Sequence, residues 1–174
     1  MARSSRKQIV EDEKKIIQEL KQNARESIDE IAKRCGFSRQ KVWRIINRLE
    51  EDNTIWGYGA ITDDEKLNQK NYLMLIKKTN EPIGELADRI VSREIENQTH
   101  NLGIELQASH YLNGQYDWMI SFTAPDIIHA KKFSEMFNKT FMKHIAEVVL
   151  IEKIFSVKKC GIQNPNVEKI KDFV

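Results

Sequence analysis

Between residues 27 and 49 the chain holds a helix start, a helix stop and a second helix start in quick succession. That spacing limits what it can fold into more than any other feature. Ser27-Ile28-Asp29-Glu30 has the form of a capping box, a serine at the N-cap with a glutamate three residues later. Gly36 stands where the left-handed residue past a helix end belongs, and Ser38 is placed to cap the next helix, which is expected to run to about Asp52. Inside that helix Val42, Ile45, Ile46 and Leu49 recur at i, i+3, i+4 and i+7, so it buries one stripe. Upstream, residues 11–22 read as a helix with Ile16, Ile17 and Leu20 on one side, and the middle helix turns Ile28, Ile31 and Ala32 inward. Three short helices with a glycine turn between the second and third form a helix-turn-helix.

The third helix also concentrates charge. Residues 33–48 contain six bases (Lys33, Arg34, Arg39, Lys41, Arg44, Arg48) and no acid. The whole chain carries a formal net charge of only +2, too little for a generic nucleic-acid coat, so the asymmetry is local. With the apolar stripe turned inward, Arg39, Gln40, Trp43, Arg44 and Asn47 fall on the opposite face. Arginine can bond guanine with two hydrogen bonds, and glutamine and asparagine suit adenine; a face without carboxylates does not repel phosphate. Lys33, Arg34, Lys41 and Arg48 are expected to flank the groove and meet backbone phosphates, with Ser38 at a helix terminus whose amides can hold another. The expected partner is double-stranded DNA. Trp43 has two readings, contact with a thymine methyl or sugar, or packing against the first helix.

Beyond residue 54 the period changes. Residues 55–71 read as an extended connector and polar loop, "IWGYGAIT" followed by "DDEKLNQKN". Strands are then expected at 72–78, 104–112, 116–124 and 148–159, with helices at 82–95 and 126–145, and with Asn113-Gly114 marking a hairpin. The order β-α-β-β-α-β is the ferredoxin-like split unit. The expected fold class is therefore α+β. A helix-turn-helix domain (residues 1–54) and a connector (55–71) precede a ferredoxin-like βαββαβ sandwich domain (72–160) and a short tail (161–174).

Several chemistries have no support in the residues. Cys35 and Cys160 lie far apart without metal-ligand spacing, which argues against a disulfide or zinc and for a reducing, cytoplasmic setting. Cys35 reads as a small core residue. His100, His110, His129 and His144 form no ligand pair, and His129 and His144 are expected on one helix. Lys131 and Lys132 read as a solvated helix face. The basic N-terminus lacks an apolar run of the secretory type, and no stretch approaches a membrane span. The expectation is no catalytic residue, no metal and no cofactor.

Taken in order, these motifs resemble the Lrp/AsnC (leucine-responsive, feast/famine) transcription regulators over about residues 11–160. The resemblance runs through Asp12 and Ile16 to Leu20, Ala24-Arg25, Ser27 to Ala32, Gly36-Phe37-Ser38, Val42 to Leu49, and Ile55 to Ala60. The chain departs from the pattern at Ile45, where a second arginine is usual, at Asn53, where glycine is usual, and in a long segment over residues 79–103. The resemblance implies a sequence-specific regulator, DNA-associated in the cytoplasm, whose C-terminal sheets pack into a homodimer or higher homo-oligomer. It implies a small-molecule effector such as an amino acid near a G-x-Y-D turn, here Gly114, Tyr116 and Asp117. Asp117 is placed to hold an α-ammonium group, although a turn-flanking aspartate also commonly ties down its own hairpin. A related plan occurs in Lrp-like sirohaem decarboxylases, but their arginine-rich exit strand is replaced here by the base-free "IWGYGA".

Overall fold

A computed structural model describes residues 6–82, 84–93, 95, 99 and 102–174. Residues up to Ile61, together with Val157–Val174, form one compact unit; Thr62–Ser156 form a second.

The first unit is built on α1 (Arg6–Gln22), α2 (Ile28–Cys35) and α3 (Arg39–Glu51). Their apolar stripes converge on a core of Ile16, Ile31, Ala32, Val42, Ile45 and Leu49, with Ile17, Leu20, Ile28, Cys35, Phe37 and Ile46 packed against it. Both expected caps form. Ser27 Oγ accepts from the Glu30 amide at 3.2 Å, and Ser38 Oγ from the Lys41 amide at 3.3 Å. Gly36 ends α2 in the left-handed region (φ +69°), and the Phe37 amide donates back to the Ala32 carbonyl at 2.9 Å. Nothing lies within 4 Å of where a Cβ on Gly36 would sit, so only backbone strain opposes a side chain there. Gly36→Ala is therefore expected to lower the stability of this unit by about 1 kcal/mol, measurable by urea unfolding followed by far-UV circular dichroism.

α1 starts at Arg6, five residues before the expected start at Glu11. The added turn carries Gln8, whose amide donates to the Asp12 carboxylate one turn on, at 2.9 Å. Asn53 is left-handed (φ +59°) after α3, a conformation that asparagine tolerates where glycine is usual. The Ile55 amide then reaches back to the Leu49 carbonyl at 2.8 Å.

The second unit is a four-stranded antiparallel sheet of β1 (Lys70–Lys78), β2 (Glu105–Tyr111), β3 (Trp118–Ala124) and β4 (Ile145–Lys153), in spatial order β2-β3-β1-β4. α5 (Ile127–Thr140) packs on it, and α4 (Gly84–Val91) follows β1 in the chain, which completes the βαββαβ order. Tyr72, Met74 and Ile76 of β1, and Trp118, Ile120, Phe122 and Ala124 of β3, turn to one face and meet Ala130, Phe133, Phe137 and Phe141. Rings stack edge to face through this core, Phe133 on Phe122 at 4.8 Å and Phe137 on Trp118 at 5.3 Å. On the other face Leu73, Leu75, Met119 and Val149 stay half-buried.

Several expected boundaries move. The helix expected to reach residue 145 stops at Thr140, so His144 lies in a turn and does not share a helix with His129. Contacts remote in sequence cut it short. Arg89 Nη1 donates to the Thr140 carbonyl at 3.0 Å, while the Thr79 hydroxyl and amide take the Lys143 and His144 carbonyls at 2.8 and 2.9 Å. Ile145 then opens β4, which ends at Lys153 rather than 159. Residues 158–159 instead form a small hairpin of β5 (Lys158–Lys159) and β6 (Ile162–Gln163), joined by left-handed Cys160 and Gly161 (φ +45° and +86°). The helix expected at 82–95 spans Gly84–Val91, and residues 83 and 94 at its ends lie outside the described residues, as does His100. Asn113-Gly114 sits in a six-residue loop, 112–117, where the expected turn was tighter; Tyr111 and Trp118 are the last paired residues.

Candidate nucleic-acid interface

Helix α3 presents two faces set by its own periodicity. Val42 and Leu49 are 0% and 2% exposed, and Ile45 is 7% exposed, which makes it a core residue rather than a vacated surface contact. On the opposite face Arg39, Gln40, Trp43 and Arg44 are exposed and Asn47 is half-buried. Trp43 leaves 56% of its surface open, so the indole projects outward and does not pack under α1. Ser38 caps the N-terminus, and the amides of Arg39 and Gln40 precede the first residues that can have an intrahelical acceptor.

The six bases, uniform along the chain, divide sharply in space. Lys41 Nζ lies 2.7 Å from the buried Asp12 carboxylate and 3.9 Å from the centre of the Phe37 ring. The Lys41 hydrogen bond holds the Asp12 carboxyl below the usual carboxylate range, against the opposing effect of burial. Arg48 pairs with Glu13, Arg34 with Glu19 and Glu26, and Arg39 with Asp29 at 3.2 Å. The Glu19 hydrogen bond pushes the Arg34 guanidinium up. Lys33 and Arg44 have no carboxylate partner among the described residues. Sequence inspection missed this division because each acid lies upstream, on α1, on α2 or, for Glu26, in the turn between them. Its one local signal was the spacing of Asp12, four residues before Ile16 and so on the inward side of α1.

Nearby, Cys35 is half-buried against the core, and burial raises its thiol pKa. Below α3, the Tyr58 hydroxyl donates to Glu50 at 2.8 Å; burial, then Glu50, pushes its pKa up to about 12. Lys131 and Lys132 are exposed on α5. Among the described residues, no group of three or more His, Cys, Asp or Glu is placed to hold a metal ion, and no helix is long and apolar enough to cross a membrane.

In the second unit the G-x-Y-D residues lie in the loop between β2 and β3. Gly114 is exposed and Tyr116 half-buried. Asp117 is knitted into the hairpin base. Its Oδ2 accepts from the Lys78 amide at 2.9 Å, its amide donates to the Ile76 carbonyl at 2.9 Å, and its carbonyl accepts from the Leu112 amide at 2.7 Å.

Together these features define a helix-turn-helix chain with a ferredoxin-like second unit. Residues 13–55 match the winged helix-turn-helix DNA-binding family. No curated protein matches the chain. Among solved structures, it is similar to an AsnC family transcriptional regulator from Agrobacterium tumefaciens (22% identity, TM-score 0.66, covering 85% of this chain and 92% of that one). It is also similar to a transcriptional regulator from Neisseria meningitidis in complex with L-Met (16%, 0.66, 89% and 96%). A third is a feast or famine regulatory protein from M. tuberculosis complexed with L-methionine (15%, 0.68, 86% and 94%). The fold is that of the Lrp/AsnC regulators.

Proposed function

We infer that this protein is a sequence-specific DNA-binding transcription regulator of the Lrp/AsnC type. The observation that carries the reading is the outward face of α3, where Gln40, Trp43, Arg44 and Asn47 stand together without a carboxylate, directly opposite a buried stripe. Laid in a major groove, such a face offers two-point contacts to guanine from Arg44 and Arg39, and to adenine from Gln40 and Asn47, with the Trp43 ring available to a thymine methyl. Lys33, with no carboxylate partner among the described residues, is the base best suited to a backbone phosphate, and the Ser38 terminus offers it amides.

The half-buried outer sheet face, with Leu73, Leu75, Met119 and Val149, supports a homodimer in which two such sheets meet. A two-fold dimer would present recognition helices to half-sites about 34 Å apart, or a multiple of that. The resemblance to regulators crystallised with L-methionine supports an amino-acid effector near Gly114, Tyr116 and Asp117. With one Asp117 oxygen on the Lys78 amide, the other remains the candidate for an α-ammonium group. A DNA-bound regulator of this kind works in the cytoplasm.

Fluorescence anisotropy against a selected and a scrambled duplex, across salt concentrations, tests the reading. A steep salt slope with preference for the selected duplex is expected. Arg44→Ala should weaken specific binding by about 1–3 kcal/mol, and Arg39→Ala by a similar amount. Full affinity in both variants would remove these arginines from the interface, and no binding by the wild-type protein at any salt would overturn the regulator reading.

A further inference from the structure

Lys41, Arg44 and Arg48 follow one another along α3 at i, i+3 and i+7, so they form one row along the edge of the reading face, to which Arg44 also belongs. The outer members of the row meet consecutive acids of α1, Lys41 with Asp12 and Arg48 with Glu13. The two pairs differ in kind. Asp12 is sealed, with 4% of its side chain exposed, and Gln8 adds a second hydrogen bond, so this pair is anchored in the interior through its acid. Arg48 is 44% exposed and Glu13 21%, and among the described residues no other donor meets the Glu13 carboxylate. Arg34 is a contrasting case, clamped by two carboxylates at once.

A guanidinium recognises carboxylate and phosphate with the same fork of donors, so a solvent-accessible arginine can exchange one for the other and keep its charge-assisted bonds. A carboxylate that stays in place cancels the arginine's charge toward DNA and sets its own charge beside the phosphates. Arg44 stands between the two neutralised bases, so in the free protein the row carries one uncompensated charge instead of three.

We propose that Glu13 is a phosphate surrogate on Arg48: the carboxylate holds the guanidinium in the free protein, and a DNA phosphate takes its place on binding. Glu13 thereby sets the affinity of the interface from a helix outside the recognition helix. This rests on the DNA-binding reading above and deepens it. The exchange explains how a half-exposed arginine is kept ordered without a ligand, and it makes the strength of the α1–α3 contact a determinant of how tightly the protein holds DNA.

The test is a double-mutant cycle on the full-length protein, with Glu13→Gln, Arg48→Ala and the pair. Binding to a selected duplex is read by anisotropy from low to high salt, and folding of each variant is checked by circular dichroism. Glu13→Gln is expected to tighten binding about two- to fivefold, the scale of a half-exposed ion pair. The gain should vanish in the Arg48→Ala background. Between the double variant and Glu13→Gln alone, the presence of Arg48 should add about 0.9 to the salt slope, one phosphate contact. Glu13→Ala repeats the measurement without a residual amide hydrogen bond and should give a gain of the same sign. Unchanged affinity in both Glu13 variants, with wild-type DNA binding intact, would overturn the exchange. A gain that persists without Arg48 would also overturn it, because it would report only a change in overall charge. Failure of the wild-type protein to bind any duplex would instead remove the DNA reading, and this proposal with it.

Discussion

Lys41→Met is expected to destabilise the helix-turn-helix unit by about 3 kcal/mol, more than Asp12→Ala at about 2 kcal/mol, although Lys41 is the more exposed partner. The asymmetry follows from what each change leaves behind. Without Lys41, the Asp12 carboxylate stays in the interior with the Gln8 amide as its remaining side-chain donor, an uncompensated buried charge. Without Asp12, the Lys41 ammonium has a side chain 34% exposed and can turn to water along its stem. Replacing both together should cost less than the sum of the two single changes, since neither charge is then stranded.

The pH dependence separates these cases. In the native protein the Asp12 pKa lies below its unfolded value of about 3.9. Its stabilisation is therefore fully present above that value and is lost as pH falls through the lower folded pKa. In Lys41→Met burial remains, opposed by the Gln8 bond and the more distant charge of Lys15. The largest favourable cause is gone, and protonation of Asp12 relieves the strain as the solution is acidified. The difference between the two proteins should narrow below about pH 4. Urea unfolding of the full-length protein at several pH values, followed by far-UV circular dichroism, checks this; a constant difference across pH would show that Asp12 is not the group responsible.

Phe133→Ala is expected to cost the second unit about 3–5 kcal/mol. The ring is 0% exposed and sits edge-on against Phe122, with Phe137 6.2 Å away along the helix. Its neighbours come from a sheet and a helix that cannot both collapse into the space, so the cavity term adds to the lost burial. Thermal unfolding by calorimetry should show a clear fall in the transition of this unit. A loss below about 1 kcal/mol would mean that the sheet and α5 close up freely.

Much of the candidate site was legible in the chain. Ser27, Gly36 and Ser38 place helix ends through contacts with residues at most five positions away, and the 3.6-residue repeat of Val42, Ile45, Ile46 and Leu49 assigns the opposite face to Arg39, Gln40, Trp43, Arg44 and Asn47. Ile45 shows the strength of that argument. Periodicity puts it in the core whatever residue is usual at that position, and it packs there. Trp43 could not be assigned from its position alone, since its angle around the helix lies toward the edge of the outward face and either neighbourhood was open to it.

The strand and helix order of the second unit was legible for the same local reasons, but some of its boundaries were not. The expected helix to residue 145 had suitable residues all the way, and no breaker. Its early end comes from Arg89 and Thr79, 51 and 64 positions away from the carbonyls they take. Likewise Asn113-Gly114 has the composition of a tight turn, while the chain between Tyr111 and Trp118 is shaped by Asp117 reaching the Lys78 amide across 39 positions.

By itself, then, the sequence determined what depends on neighbours along the chain: where helices begin and end, which face of each is apolar, and hence which side chains α3 offers outward. Tertiary structure alone decided how the charge on that helix is used. Ion pairing acts through space, and the acids that meet Lys41 and Arg48 lie on the first helix, 35 positions upstream in the case of Arg48. A stretch of bases without a local acid looks uniformly available until the first helix folds back across it. After that Lys41 is tied to the buried Asp12, Arg48 is held by Glu13, and Arg44 has no carboxylate beside it among the described residues.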